Sequence, residues 1–370
     1  MSNILLEIKD LNISFNLNNK ISKTVSNFNI NLKKKKTIGI VGESGSGKTL
    51  SMLALTRLLP KQAFVEKGKI IFDQKDITNF SNKDFYKQIS GKRISMIFQE
   101  PMTALNPVYT VGRQLIETYL FHNYVSRNEA YKRSINLLES VQLTNSKERM
   151  NQYPHQLSGG QRQRVMIAMS LINDPELLIA DEPTTALDVT VQKEIILLIE
   201  KLIKDLGMAM IFISHDLGVV SEISEEIIVM KEGLIIENGK TKSVINNPKK
   251  EYTNNLLQCL WKLDVNKKNP NKKNEILIKI NKISKRYFLP GNIFKPRKTI
   301  DAVKNVSFEI FKGETLAIVG ESGSGKSTIA KIINGLIPIN VGEVLLDKKN
   351  IKNYSPLNRA KLMQPVFQDP

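Results

Sequence analysis

Cysteine occurs once in the 370-residue chain, as Cys259. A lone thiol excludes an internal disulfide and a multi-cysteine metal site, so the chain must fold on its apolar core and suits a reducing cytoplasm, with Cys259 read as a small buried side chain near a domain end. Long apolar runs are also missing. Nothing approaches the roughly 18 residues needed to cross a bilayer, and the opening MSNILLEIKDL carries Glu7 and Asp10 where a signal peptide would be apolar or basic. The expectation is a cytoplasmic protein whose membrane role, if it has one, comes through a partner. Acid is in short supply as well: 36 Asp and Glu face 54 Lys and Arg, a formal net charge of +18. Such a balance would suit nucleic acid. The lysine excess, however, travels with many Asn and Ile scattered along the whole chain, so it reads as compositional drift, and no nucleic-acid partner is expected.

What is present is an ordinary globular composition, 41% hydrophobic and 24% charged, with length for two domains. It is organised around GESGSGKT, Gly42 to Thr49, which returns as GESGSGKS from Gly320 to Ser327. Both fit G-x-x-x-x-G-K-[ST] and lead into helical periodicity. Both also follow a short apolar run, Ile38 to Val41 and Leu316 to Val319, each read as a buried strand. Glycine lets such a loop curl until consecutive amides point at phosphate oxygens, and the next helix adds its positive end. The first cradle comprises Gly42, Glu43, Ser44, Gly45, Ser46, Gly47, Lys48 and Thr49. The second comprises Gly320, Glu321, Ser322, Gly323, Ser324, Gly325, Lys326, Ser327 and the adjoining Thr328. Lys48 would reach the β- and γ-phosphates, and the hydroxyls of Thr49 and Ser327 could ligate Mg²⁺.

Before the first loop, Leu5 to Phe15 and Phe28 to Leu32 alternate as a two-stranded antiparallel sheet. Phe15 could stack on an adenine ring or simply pack in the core; both readings stand. After the loop the pattern predicts a helix over Leu53–Leu59 ended by Pro60, then a strand Gly68–Phe72, and then Ile94 to Gln99. Gln99 ends a buried strand where its amide could face Mg²⁺ or an attacking water. Helical periodicity fills Thr110 to about Glu148 before LSGGQRQRV, Leu157 to Val165. There Ser158, Gly159, Gly160 and Gln161 open a helix, either as a plain cap or as an anion site for a phosphate presented by another domain. LLIADE, Leu177 to Glu182, is a buried strand ending in two carboxylates. Asp181 is placed to hold Mg²⁺ through water, and Glu182 to orient or deprotonate the water attacking a γ-phosphate. Ala186-Leu187-Asp188 opens the next helix, and Met208 to Ile213 leads to His215, a γ-phosphate contact. His122 and His155 read as surface or structural.

The first domain is expected over 1–261, a Lys- and Asn-rich linker over 262–274, and a restarted plan over 275–370. Ile276 to Phe288 mirrors the first strand, with Tyr287 near the place of Phe15. Leu289 to Thr299 is an added loop, and Val366 to Pro370 mirrors Ile97 to Pro101, putting Gln368 where Gln99 stands.

With the ordered set GESGSGKT, Gln99, LSGGQ, LLIADE, Ala186-Leu187-Asp188 and His215, the chain resembles the ATP-binding subunits of ABC transporters. QEPMTALNPVYTVGRQL, YPHQLSGGQRQRV and NNPKKEYTNNLL narrow the resemblance to peptide and nickel importers with two fused ATPase domains. It implies an α/β P-loop fold with an antiparallel β subdomain and a helical signature subdomain, followed by a partial second copy. It further implies ATP and Mg²⁺, hydrolysis that energises solute import, and head-to-tail pairing of ATPase domains with each ATP between the phosphate loop of one and the LSGGQ of the other. Integral membrane permease subunits and a solute-binding protein would be partners, at the cytoplasmic face of the membrane. In the residues given, the second copy has no LSGGQ, no Asp-Glu strand end and no switch histidine, so 275–370 is expected to be an N-terminal part that exposes core-forming apolar surface. Two rival readings are a soluble tandem ABC ATPase working on ribosomes or nucleic acid, and a remnant that does not hydrolyse.

Overall fold

A computed structural model describes residues 3–17, 20–185, 187–261, 275–288, 299–321 and 323–367. The chain forms two compact units, Met1–Asp264 and Val265–Pro370. Ala186, the linker 262–274, most of the added loop, Ser322, Gln368 and the side chain of Cys259 lie outside the described residues.

The first unit begins with long strands β1 (Ile4–Leu17) and β2 (Lys20–Lys33), then β3 (Thr37–Val41). After a helix, Lys48–Thr56, come β4 (Ala63–Phe72), β5 (Lys75–Asp76) and β6 (Ile94–Ile97). β7 (Leu177–Asp181), β8 (Ala209–Ser214), β9 (Glu226–Lys231) and β10 (Leu234–Lys240) follow a run of helices. Two sheets result. The antiparallel one has four strands in the order β2-β1-β4-β5, twice the number expected from the period-two pattern, because β4 pairs with β1 over its length and β5 returns on β4. The helix expected over Leu53–Leu59 in fact begins at Lys48 and ends at Thr56. Arg57, not Pro60, stops it, by taking a left-handed backbone (φ 58°) and donating its N–H to the carbonyls of Ala54 and Leu53.

The second sheet has the order β10-β9-β3-β8-β7-β6, with β9, β3, β8, β7 and β6 parallel. Its inner strands β3, β8, β7 and β6 are buried at every position and largely apolar, because both faces are covered. Alternation decides which residue faces which layer. Val41, Leu178, Ala180, Met210 and Phe212 join a core with helices Val111–His122, Arg127–Ser140, Gly159–Leu171 and Val189–Leu206. Ile38, Ile40, Leu177, Ile179, Ile211 and Ile213 point the other way, toward the antiparallel sheet and the helix Lys48–Thr56. Since β3, β8, β7 and β6 run parallel, their carboxyl ends lie along one edge, where ligands of such sheets bind.

Of the two sheets, the second unit repeats the antiparallel one among its described residues: β11 (Ile276–Phe288), β12 (Thr299–Phe311), β13 (Val341–Leu346) and β14 (Lys349–Asn350), in the order β12-β11-β13-β14. A small core of Ile278, Ile280, Ile283, Val344 and Leu346 closes on Ile329 and Ile332 of the helix Lys326–Ile333. The run Leu316 to Val319, expected as a buried strand, is not one. Val319 is 88% exposed, whereas its counterpart Val41 is 1% exposed. β3 is a strand because β8 and β9 satisfy its amides on both sides; without such neighbours an isolated parallel strand has only water to bond to. Val366 and Phe367, mirroring the β6 segment, are likewise outside any strand and exposed.

Candidate active site

The first phosphate loop leaves β3 at Val41 and enters the helix Lys48–Thr56 at Gly47, whose left-handed backbone (φ 95°) turns the chain into the helix. At Gly42 the need for glycine is steric as well, since a Cβ there would lie 2.1 Å from the Met230 carbonyl oxygen on β9. Lys48 is folded back over the loop, its ammonium donating to the carbonyls of Gly42 (2.7 Å) and Glu43 (2.8 Å) and, at 3.4 Å, to Ser46 Oγ. The lysine is buried, and burial pulls its pKa below the usual range while Glu182, Asp181 and Glu43 push it back up. A buried cation held by carbonyls is poised to exchange them for phosphate oxygens.

β7 ends in Asp181, which is 1% exposed, and accepts a hydrogen bond from Thr49 Oγ1 at 3.0 Å. Burial, and secondarily the charge of Glu182, raise its pKa to about 6, against the lowering by Thr49 and Lys48. Glu182 follows in a left-handed backbone (φ 44°), uncommon for a residue with a side chain, fixed by its N–H bond to the Ile213 carbonyl on neighbouring β8 (2.9 Å). That twist aims its carboxylate along the edge of the sheet. Gln99 Nε2, just past β6, donates to Glu182 Oε2 at 3.1 Å, and Thr185 Oγ1 donates to the same oxygen at 2.9 Å. His215, just past β8, brings Nδ1 to 3.3 Å from Glu182 Oε1. The ends of β6, β7 and β8 thus converge on one carboxylate.

The donor set fits a magnesium ion. Thr49 and Asp181 offer hard oxygens side by side, and Gln99 lies one residue-contact away through Glu182. Among the described residues no group of three or more His, Cys, Asp or Glu could hold a metal alone. Magnesium does not require one, because it takes much of its shell from phosphate and water. The cost of this arrangement is readable in pH. With the folded carboxyl of Asp181 near 6 and the unfolded one near 3.8, the folded state holds the proton longer. Stability therefore falls as pH rises from about 4 to about 6 and stays lower above, by at most about 3 kcal/mol. Asp181→Asn should stabilise the nucleotide-free chain at pH 8 by about 1–3 kcal/mol and flatten its melting temperature between pH 4 and 7. A variant that melts lower, with the acid dependence intact, would contradict the assignment.

The signature segment sits at a helix start. Ser158 caps the helix Gly159–Leu171, accepting from the Gln161 N–H (3.4 Å) while Gln161 Oε1 accepts from the Ser158 N–H (3.1 Å). The plain-cap reading is thus realised, and Ser158 and Gly159 remain exposed for a further contact. Asp188 caps the next helix by accepting from the Val191 N–H. Phe15 is half-buried near the end of β1, across from Ser22 and Ala63. Of the other histidines, His155 stacks on Tyr153 and His122 is half-buried against Phe121. In the second unit Lys326 repeats the bonds of Lys48, to the carbonyls of Gly320 and Glu321 and to Ser324 Oγ, and Gly325 repeats the turn of Gly47 at φ 96°. Tyr287 is 38% exposed beneath Lys285. Sequence reasoning missed Thr185, although its place three residues after Glu182 is a turn spacing that could have flagged it. It also missed Tyr252, whose hydroxyl accepts the Glu43 N–H from 209 residues away, a contact with no local signal.

Three comparisons bear on these geometries. The family profile described as ABC transporter matches residues 25–185 and 303–370. Over 99% of its length the chain is 37% identical to the glutathione import ATP-binding protein GsiA of Escherichia coli (strain K12) and 38% identical to that of Shigella dysenteriae serotype 1. It spans 64% of the length of these relatives. Among solved structures, the dimeric post-hydrolysis state of the ATP-binding cassette MJ0796, bound to ADP and Pi, matches 64% of this chain and 99% of its own at 28% identity and a TM-score of 0.58. The cassette cbiO1 from Clostridium perfringens, part of the transporter complex cbiONQ, matches 66% and 92% at 29% identity and a TM-score of 0.57. The parallel sheet edge, the two phosphate loops and these matches agree: the chain belongs to the ABC transporter family, with the α/β fold of its ATP-binding cassettes.

Proposed function

We propose that the first unit binds Mg-ATP on the Gly42–Thr49 loop and hydrolyses it, and that this drives import of a peptide or similar small solute through separate membrane permease subunits fed by a solute-binding protein. The reading is supported above all by the convergence of Gln99, Thr185 and His215 on Glu182, beside the Thr49–Asp181 pair at the mouth of the phosphate loop. Relatives that are import ATP-binding proteins support the transport half. Among the described residues no helix is long and apolar enough to cross a membrane; this reading gives the solute path to the separate permease subunits.

Each residue has a task in this reading. Lys48 and the loop amides bind the phosphates. Bound Mg²⁺, held by Thr49 and Asp181 with the Gln99 amide, supplies positive charge against the phosphate oxygens. Glu182 accepts a proton from the attacking water, with Gln99 and Thr185 fixing one carboxylate oxygen and leaving the other toward His215. His215 contacts the γ-phosphate, and Phe15 stacks on the adenine. The signature Ser158–Gln161, exposed at Ser158 and Gly159, meets the γ-phosphate held by a second cassette, a pairing supported by the dimeric state of the similar structure. The second loop, with Ser327, Thr328, Gln368 and Tyr287, holds a second nucleotide in the same manner.

Lys48→Ala tests the binding half. It removes a charge-assisted contact worth about 1.5–3 kcal/mol, so Mg-ATP affinity measured by titration should fall by a factor of about 10 to 150. Wild-type affinity in this variant would overturn the assignment.

A further inference from the structure

The phosphate loop is tied to the rest of the first unit at a point its own motif does not supply. The Glu43 N–H donates to the hydroxyl of Tyr252 at 3.2 Å. Tyr252 is the second residue of the helix Glu251–Trp261, and Lys231 at the end of β9 places its ammonium 5.0 Å from the centre of the ring. The entry to that helix is fixed in turn, because Glu237 on β10 accepts the N–H groups of Lys249 (2.9 Å) and Lys250 (3.3 Å). Farther along, the helix packs on Leu217–Ile223, the helix that leaves directly after His215 and Asp216. One short helix therefore touches both the loop and the helix that follows His215.

Resting on the ATP-binding reading above, we propose that Tyr252 is a positioning residue of the nucleotide site: a latch by which the helix Glu251–Trp261 holds the arm of the phosphate loop in register with His215. The latch sets where the loop sits, not how it curls. The curl belongs to the glycines, since φ values of 154°, 80° and 95° at Gly42, Gly45 and Gly47 recur as 154°, 83° and 96° at Gly320, Gly323 and Gly325. Burial raises the phenol above its usual pKa range, so the hydroxyl is neutral throughout the working range and the latch is insensitive to pH there.

Tyr252→Phe in the full chain removes only the hydroxyl. The KM for Mg-ATP and the Kd for Mg-ADP should rise about fivefold, the worth of one ordinary hydrogen bond. kcat should stay within about twofold and the melting temperature without nucleotide should fall by no more than about 4 °C, the worth of the same bond in a unit of this size, while amide exchange over residues 42–48 should quicken. Wild-type affinity and exchange in Tyr252→Phe, alongside lost binding in Lys48→Ala, would overturn the latch and leave the ATP reading standing. A collapse of kcat and affinity together with a melting temperature lowered well beyond the worth of one bond would mean that Tyr252 is merely structural and would overturn the latch too. A wild-type chain that binds no nucleotide would overturn the ATP reading itself.

Discussion

Glu182→Gln should lower steady-state ATP turnover by a factor of about 10² to 10⁴, the usual contribution of a positioned general base, while Mg-ATP affinity stays within about twofold. The two effects separate because of where Glu182 stands. Its contacts are to Gln99, Thr185 and His215, whereas the loop cation Lys48 is bonded to Gly42, Glu43 and Ser46. Glutamine keeps the length of the side chain and one oxygen to accept from Gln99 or Thr185, so the twisted backbone at residue 182 and the edge geometry survive. What it loses is basicity. It also removes one negative charge beside Asp181 and Lys48, both of which respond to Glu182. The Asp181 carboxyl should therefore come down from about 6, and the nucleotide-free variant should be no less stable than wild type at pH 8. Single-turnover hydrolysis and a nucleotide titration on the same preparation check both halves. A variant that retains most of the wild-type rate would remove Glu182 from the chemical step.

The parts of this site that were legible in the sequence are those whose chemistry is local. The phosphate loop is spelled by glycine spacing, and the strand ends carrying Asp181, Gln99 and His215 are spelled by short, mostly apolar runs that turn polar at their carboxyl ends. Burial on both faces makes the inner parallel strands mostly apolar, so β7 and β8, apolar up to their last residue, stand out from their surroundings. What the sequence could not show was assembled by tertiary contact. Thr185 bonds Glu182 only because residue 182 adopts φ 44°. β4 joins the antiparallel sheet by pairing with β1, roughly 50 to 65 residues earlier, despite a weak alternating pattern, with residues 64 to 67 all exposed. The failure at Leu316 to Val319 is the most instructive. Its residues are as apolar as those of β3, yet a strand is a relation between segments. β3 is strand because β8 and β9, distant in sequence, lie on either side of it. The same reasoning explains the helix end at Arg57. Its left-handed cap is secured by guanidinium bonds to the carbonyls of Ile77, Thr78 and Phe80, which no window around residue 57 contains.

Hydrolysis should also require two copies of the first unit. Its edge carries Lys48, Asp181, Glu182, Gln99 and His215, but Ser158 spends its hydroxyl capping its own helix and stays exposed on a different element. A γ-phosphate closed over by such a helix start gains a second positive helix end, beyond the one its own phosphate loop supplies, and the O–H that Ser158, an acceptor in its cap, still has to donate. Pairing across a two-fold axis gives each site the signature of the other molecule. Specific activity should accordingly rise with protein concentration, and each of two single variants should be nearly inactive alone: Ser158→Arg, which keeps its base but offers a blocked signature, and Glu182→Gln, which keeps its signature but lacks the base. In a mixed dimer one site combines the Glu182 of the first variant with the Ser158 of the second and is whole; the other site carries both defects. The measurement that bears most directly on the account is the ATPase rate of these two purified variants, separately and in equal mixture at high concentration. The account predicts two nearly silent preparations and a mixture that recovers about a quarter of wild-type activity, since half of randomly formed dimers are mixed and each has one working site of two. No recovery on mixing, with wild-type activity independent of concentration, would contradict it.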